Sequence, residues 1–126
     1  NNASDKESLD KEFGELAKEV QRVLGGTVFN GKTILGGDAG AQTFQVGANT
    51  GANDAIDITT TNLSIDATIT SVAGSAAGAA TTVARAGIGS AASASAIATV
   101  IDNIDNAIDT INTQRATMGA SQSRFE

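Results

Sequence analysis

The chain has 126 residues, enough for one domain, and its 14 acidic and 8 basic residues give a net charge of −6. The few cations are not clustered, which argues against nucleic acid or an anionic membrane surface as a partner. No apolar run approaches the ~18 residues of a membrane span. The absence of Cys and His removes the usual ligands of zinc, copper and haem and the Cys/His and Ser/His catalytic arrangements. Composition therefore favours a protein that is not an enzyme.

The first predicted element is a helix over residues 4–24. Ser4 followed by Glu7 fits a capping box, and Gly25-Gly26 provides a stop signal. Apolar residues in between are spaced alternately four and three apart, which is typical of a heptad seam. These residues are Leu9, Phe13, Leu16, Val20 and Val23. Gly14 conflicts with the pattern, since glycine inside a helix costs about 1 kcal/mol relative to alanine.

Residues 26–72 change to a period of two, which predicts a β-hairpin region. One strand carries Phe44 and Val46, and its partner carries Ile56 and Ile58. The stretch LSIDATIT, residues 63–70, alternates in the same way and predicts a further strand. Residues 73–92 are nearly all small, so we expect a loop or loosely packed connector there.

Residues 93–125 predict a second, longer heptad helix. Its seam is formed by Ile97, Ile101, Ile104, Ile108, Ile111, Arg115, Met118, Gln122 and Phe125. Arg115 and Gln122 occupy seam positions where Leu or Ile would be more stabilising, and Arg124 lies beside them. A polar group in a seam either fixes register or contacts a partner. Alternatively, Arg115 has no such role: its aliphatic carbons pack on the seam and its guanidinium lies in solvent.

These elements predict a single α+β domain over residues 1–126. Long heptad-patterned helices pack as a rod-like bundle, with β-hairpins bracing one side. The apolar seams are expected to be buried between the helices, so an aspartate at Leu16 or Ile108 would cost several kcal/mol.

The stretch GTVFNGKT matches the phosphate-loop pattern, with Gly26, Gly31, Lys32 and Thr33 at its fixed positions. A phosphate loop follows a buried strand and opens a helix at the lysine. Here a heptad helix precedes the match, and Gly36-Gly37 follows it too soon for a new helix. Asn-Gly instead predicts a tight turn. We therefore expect no nucleotide binding.

Glycine- and aspartate-rich stretches around Asp38, Asp54 and Asp57 resemble calcium-binding β-rolls. Such repeats need stacked copies at a fixed nine-residue period, and these aspartates do not keep one. Pairs of acids on the predicted helices are typical of a solvated face rather than of a catalytic cleft. We expect no metal, no cofactor and no catalytic residue.

Three stretches resemble bacterial flagellin, the subunit of the flagellar filament. VFNGKTIL is similar to the family's turn after its second core helix, and FQVGANTGANDAIDI is similar to its hairpin. IDNAIDTINTQRATMGASQSRFE is similar to its C-terminal core helix and includes Arg115, Gln122 and Arg124. The three stretches follow one another along the chain in the family's order.

The resemblance implies a core-domain fragment that lacks the terminal filament-tube helices and the first core helix. Its two long helices would run parallel, and the stripe left open by the missing helix would act as an interaction site. The chain does not begin with Met, which agrees with a processed or excised piece. The small-residue connector would replace the outer domains of larger flagellins.

The function implied is a secreted, self-assembling structural subunit of the extracellular flagellum that serves motility. Its partners would be other flagellin subunits, with no nucleic acid and no membrane. Glu12 falls where the family has a glutamate that contacts the vertebrate flagellin-sensing Toll-like receptor, which makes that receptor a further expected partner. The alternative is a coiled-coil and β-hairpin binding module of an extracellular adhesin or tail-fibre-like protein.

Overall fold

A computed structural model describes residues 2–45 and 55–125. The elements in chain order are α1 (Ala3–Gly26), β1 (Gly40–Gln45), β2 (Ala55–Thr60), a short 3₁₀ helix (Leu63–Ile65), α2 (Ala67–Ala73) and α3 (Ala94–Phe125). The fold is α+β, as predicted. Val46 and Asp54 of the predicted hairpin lie outside the described residues.

Helix α1 begins two residues earlier than the capping-box pattern indicates. Asn2 is its N-cap, and the Asn2 carboxamide oxygen accepts a hydrogen bond from the Asp5 N–H at 2.8 Å. Ser4 is therefore inside the helix, and Glu7 binds the connector instead of closing a capping box. At the other end, the Thr27 N–H donates to the Val23 carbonyl and closes the last turn.

The Asn30-Gly31 turn is confirmed. Both residues have positive φ, 53° and 81°, which is the pattern of a type I′ turn. Phe29 and Lys32 flank the turn and exchange both backbone hydrogen bonds, at 2.9 and 3.0 Å. Lys32 therefore follows a turn and does not start a helix, unlike the lysine of a phosphate loop.

Strands β1 and β2 form an antiparallel pair in which Phe44 faces Ile56 and Gln42 faces Ile58. Phe44, Ile56 and Ile58 are buried on one face. The Phe29 ring packs edge-on against Phe44, with the ring centroids 5.2 Å apart, and joins the Asn-Gly turn to this face.

The predicted strand in LSIDATIT is wrong, because this segment forms the 3₁₀ helix and α2. Asn62 caps the 3₁₀ helix by accepting a hydrogen bond from the Ser64 N–H. Asp66 caps α2 by accepting a hydrogen bond from the Thr68 N–H at 2.9 Å. Side chains of this kind satisfy the orphan donors of a helix start and so favour helix over strand. The alternating apolar residues are split, since Leu63 and Ile69 are buried whereas Ile65 is 68% exposed.

The connector after α2 is irregular, as predicted, but it is not loosely packed. It folds onto α2 through the Ala86 N–H, which donates to the Val72 carbonyl. It is held on α1 by Arg85, whose guanidinium makes two hydrogen bonds to Asp10, each 3.0 Å long. Nearer α3, Glu7 accepts hydrogen bonds from the backbone and hydroxyl of Ser90.

The buried faces of the long helices are not the predicted seams. In α1 the buried residues are Gly14, Ala17, Gln21 and Leu24, and in α3 they are Val100, Ala107, Gln114 and Ser121. These faces contact the small elements between the helices, and α2 packs against both α1 and α3. The predicted seam residues Leu16 and Ile108 are 66% and 49% exposed. The expectation that both are buried inside the chain is therefore wrong.

Candidate functional site: an apolar groove between the long helices

Two connected cavities of about 580 and 220 Å³ run between α1 and α3. Both are lined by Leu16, Val20 and Ile111, so they form one continuous channel, hereafter the groove. In the smaller cavity the N-terminal part of α1 faces residues 104–111 of α3, and in the larger its C-terminal part faces residues 111–118. The two helices therefore run parallel along the groove, as the resemblance implies.

The walls of the groove carry the predicted heptad residues. Leu16 and Val23 lie seven residues apart on α1, line the groove and are 66% and 46% exposed. Ile108 lines the facing wall on α3 and is 49% exposed. Leu9 and Ile101 continue the same spacing outside the lining of the groove and are 46% and 55% exposed. Contiguous exposed apolar residues of this extent are characteristic of interaction surfaces.

The floor of the groove consists of Ile69 and Val72 of α2 together with Leu35 and Leu63. Ile69 and Leu63 are each 2% exposed and belong to the main core with Leu24 and Ala107. The floor is thus the outer surface of a packed core. Its position between α1 and α3 keeps the walls apart and leaves the seam residues Leu16 and Ile108 66% and 49% exposed.

Two polar side chains of α3 line the C-terminal half of the groove. Gln114 is 7% exposed, and its Oε1 accepts a hydrogen bond from the Thr61 N–H at 3.0 Å. Its Nε2 is buried and has no hydrogen-bond partner among the described residues. The adjacent Arg115 is exposed, and its guanidinium is 3.4 Å from Asn112 Oδ1. Sequence reasoning singled out Arg115 and missed Gln114, although Gln114 shares a heptad position with Val100 and Ala107.

A separate cavity of about 540 Å³ lies where α3 meets the Asn-Gly turn and β2. Arg115 and Gln122 both line it, opposite Phe29 and Ile58. Arg115 therefore borders both the groove and this cavity. Gln122 lies away from the groove, and the side chain of Arg124 is outside what the structure describes.

The main electrostatic feature is the set of hydrogen bonds that join Asp10 and Glu7 of α1 to the connector, hereafter the clamp. Hydrogen bonds from Arg85, and after them the one from the Ile88 N–H, lower the pKa of Asp10 from 3.8 to about 2. The hydroxyl and N–H of Ser90 likewise lower the pKa of Glu7. Arg85 also lies over the Phe13 ring at 5.9 Å, so the clamp braces the N-terminal wall of the groove. Glu12 is exposed on α1 and takes part in none of these hydrogen bonds.

The aspartates considered for calcium are engaged elsewhere. Asp38 accepts hydrogen bonds from the N–H and hydroxyl of Thr33, and Asp57 accepts one from the Thr43 hydroxyl. Within residues 2–45 and 55–125, no cluster of three or more acidic side chains is arranged to hold a metal ion. No helix in the same ranges combines the length and apolar character needed to cross a membrane.

No protein-family model matches the chain, and no solved structure matches it significantly. Among curated proteins, Flagellin A of Vibrio anguillarum is 39% identical over 51 residues, which are 40% of this chain and 14% of that protein. The B-type flagellin of Pseudomonas aeruginosa is 37% identical over 67 residues, which are 53% of this chain and 13% of that protein. The chain thus matches about one-seventh of the length of each relative. These two similarities support a relationship of the chain to the flagellins.

Proposed function

We propose that this chain is the core segment of a flagellin, a structural subunit that is secreted and assembles with other subunits into the extracellular flagellar filament. The groove is the observation that carries the proposal. Its parallel walls present heptad-spaced apolar residues, and its floor is already closed by the core. Such a channel fits one further helix with an apolar heptad stripe.

The surface area supports an unfilled groove. A compact monomer of 12.5 kDa exposes about 6,200 Å² by the usual scaling, whereas this chain exposes 7,824 Å². Elongation accounts for part of the excess. A specific protein interface buries about 800 Å² on each partner, so the total excess of about 1,600 Å² is large enough to include an unfilled groove.

In the proposed full-length protein, the helix in the groove is the first core helix of the same polypeptide, and the flagellin relatives are long enough to contain it. The connector stands where larger flagellins insert outer domains. Filament growth then requires contacts between unlike surfaces, which produce an open helical polymer. Arg115, Gln122 and Arg124, near the C-terminal end of α3, are the proposed subunit contacts.

The isolated chain offers a direct test. With the groove unfilled, sedimentation velocity over a concentration series should show self-association that Leu16→Asp and Ile108→Asp weaken. Ile65→Asp is the matched control, because Ile65 is 68% exposed but does not line the groove. A monomer at every concentration, with slow amide exchange throughout residues 97–125, would contradict the proposal.

Recognition by the flagellin-sensing Toll-like receptor is the second part of the proposal. Glu12 is exposed on α1 and is therefore accessible to a partner. Binding of the receptor ectodomain to the chain should weaken on Glu12→Ala and stay unchanged on Glu15→Ala, the control on the same helix. If the wild type, Glu12→Ala and Glu15→Ala bind the receptor with equal affinity, Glu12 does not contact the receptor.

A further inference from the structure

Helix α3 carries a second exposed stripe, next to the wall of the groove. Its six residues are spaced alternately four and three apart, as in a heptad seam, and each of them is exposed. They are Ile101, Asp105, Ile108, Asn112, Arg115 and Gly119, hereafter the outer stripe. Of these six, Ile108 and Arg115 also line the groove and the other four do not. The groove alone therefore does not explain the outer stripe.

The chemistry of the outer stripe is complementary about its midpoint, position 110. Asp105 and Arg115 lie five residues to either side of this point, so an acid in one half matches a base in the other. Ile101 and Gly119 lie nine residues to either side, so a branched side chain matches a position that has none. Apart from its neighbours in the helix, no described atom lies within 4 Å of where a Cβ of Gly119 would be. A side chain from outside therefore has room to pack there.

The two charges of the outer stripe are not paired inside the chain. Within residues 2–45 and 55–125, neither Asp105 nor Arg115 forms an ion pair. The two lie ten residues apart, which is about 15 Å along the helix, so they do not reach each other. Arg115 donates a hydrogen bond of 3.4 Å to Asn112 Oδ1, which keeps the guanidinium beside the outer stripe. Both charges are thus available to a partner.

We infer that two copies of this chain pair through their outer stripes, with the two α3 helices antiparallel. Asp105 of each copy forms an ion pair with Arg115 of the other, and Ile101 of each copy packs against Gly119 of the other. A parallel pairing in register would instead place like charges opposite each other, which is repulsive. The antiparallel pairing is isologous, because both copies contribute the same patch.

This inference goes beyond the proposed function and does not depend on it. An isologous contact closes a dimer, whereas filament growth needs contacts between unlike surfaces. Arg115 is also a proposed subunit contact of the filament. The closed dimer and the open polymer therefore compete for this residue.

Exchange of the two charges tests the pairing in a Leu16→Asp background, which alters the groove and leaves the outer stripe intact. Sedimentation velocity over a concentration series gives the dissociation constant of the dimer. Asp105→Arg should raise this constant about tenfold, because it replaces two attractive ion pairs with two repulsive ones. The combined change Asp105→Arg and Arg115→Asp should restore it to within about twofold.

The matched control is Asp102→Arg, because Asp102 is exposed on the same helix but lies outside the outer stripe. Its dissociation constant should stay close to that of the background. Both Asp→Arg changes make the net charge of −6 less negative, which by itself favours association. A weakening by Asp105→Arg alone therefore reports the local contact.

Cysteine cross-linking tests the antiparallel geometry, because the chain has no cysteine of its own. A variant with both Ile101→Cys and Gly119→Cys, oxidised mildly with diamide, should give a single covalent dimer. Either cysteine alone should give none, since the two copies of that residue lie about 27 Å apart along the paired helices. A disulfide needs Cα atoms within about 7 Å.

Each contrary outcome refutes a stated part of the inference. If Asp105→Arg weakens the dimer no more than Asp102→Arg does, or if the charge exchange does not restore it, the contact lies away from the outer stripe. A ladder of larger covalent species, or no covalent dimer at all, would overturn the antiparallel pairing. A chain that is monomeric in the Leu16→Asp background would refute the inference and leave the groove as a helix site, so the proposed function would stand.

Discussion

Gly14 lies in the middle of α1, and the structure explains its presence through Arg85. A Cβ atom added at Gly14 would lie 2.8 Å from Arg85 Nε and 2.9 Å from Arg85 Nη2. The guanidinium lies flat against the helix at this point while it binds Asp10 through two hydrogen bonds and the Ala86 carbonyl through a third. Gly14→Ala therefore forces the guanidinium to move.

Two opposing contributions decide the effect of Gly14→Ala on the free energy of unfolding. Removing glycine from a helix interior stabilises by about 1 kcal/mol. Displacing Arg85 weakens an ion pair whose side chains are 32% and 19% exposed. Partial exposure discounts its contribution, so the loss is about 1–2 kcal/mol. Gly14→Ala should therefore destabilise the fold by between zero and about 1 kcal/mol. Helix propensity alone would predict the opposite effect, a stabilisation.

A double-mutant cycle isolates the contact. In an Arg85→Ala background nothing opposes the added methyl group, and Gly14→Ala should stabilise by about 1 kcal/mol. Urea unfolding followed by circular dichroism is the suitable assay, because the chain has no Trp or Tyr to serve as a fluorescent probe. Stabilisation of about 1 kcal/mol by Gly14→Ala in both backgrounds would show that Arg85 does not rest on Gly14.

Four further experiments test other features of the chain. Because the pKa of Asp10 is lowered from 3.8 to about 2, its ionised carboxylate stabilises the folded state fully above about pH 5. This stabilisation is lost as the pH falls through about 2, so Asp10→Asn should flatten the acid side of the profile of melting temperature against pH. Gly31→Ala should cost about 1 kcal/mol, because φ is +81° there, and a melting temperature equal to that of the wild type would refute the type I′ turn. Leu16→Asp should cost less than about 1 kcal/mol in a dilute monomer, whereas Ala17→Asp should cost several; equal losses would mean that the burial of the two faces is misassigned. Titration with magnesium-ATP should release no heat beyond dilution, and saturable binding abolished by Lys32→Ala would contradict this.

The sequence was sufficient to locate both long helices, the hairpin and the Asn-Gly turn, because each has a strong local signal. It misassigned residues 63–70, since a short apolar alternation does not separate a buried strand from a capped helix. Asn62 and Asp66 were the informative residues, because both act as N-caps.

The sequence predicted the apolar residues of the groove but not that the groove would be open. Heptad spacing correctly marked Leu16 and Ile108 as parts of apolar stripes, but a stripe indicates only that a partner is needed. It does not say whether the partner lies in the same chain. The faces that are buried carry Gly14, Ala17 and Gln114, small or polar residues that do not resemble a core from sequence alone.

The small residues on the buried faces explain how the chain can fold and still leave an apolar stripe exposed. Glycine and alanine let α2 and the connector approach the long helices closely while burying little apolar area for each contact. The larger side chains are thereby left for the groove, where Leu16 and Ile108 remain 66% and 49% exposed. A helix bound there would bury them all at once, and its binding free energy would add directly to the stability of the folded state. Under the proposed function, filling the groove and stabilising the fold are one event, because the same stripe of side chains serves both.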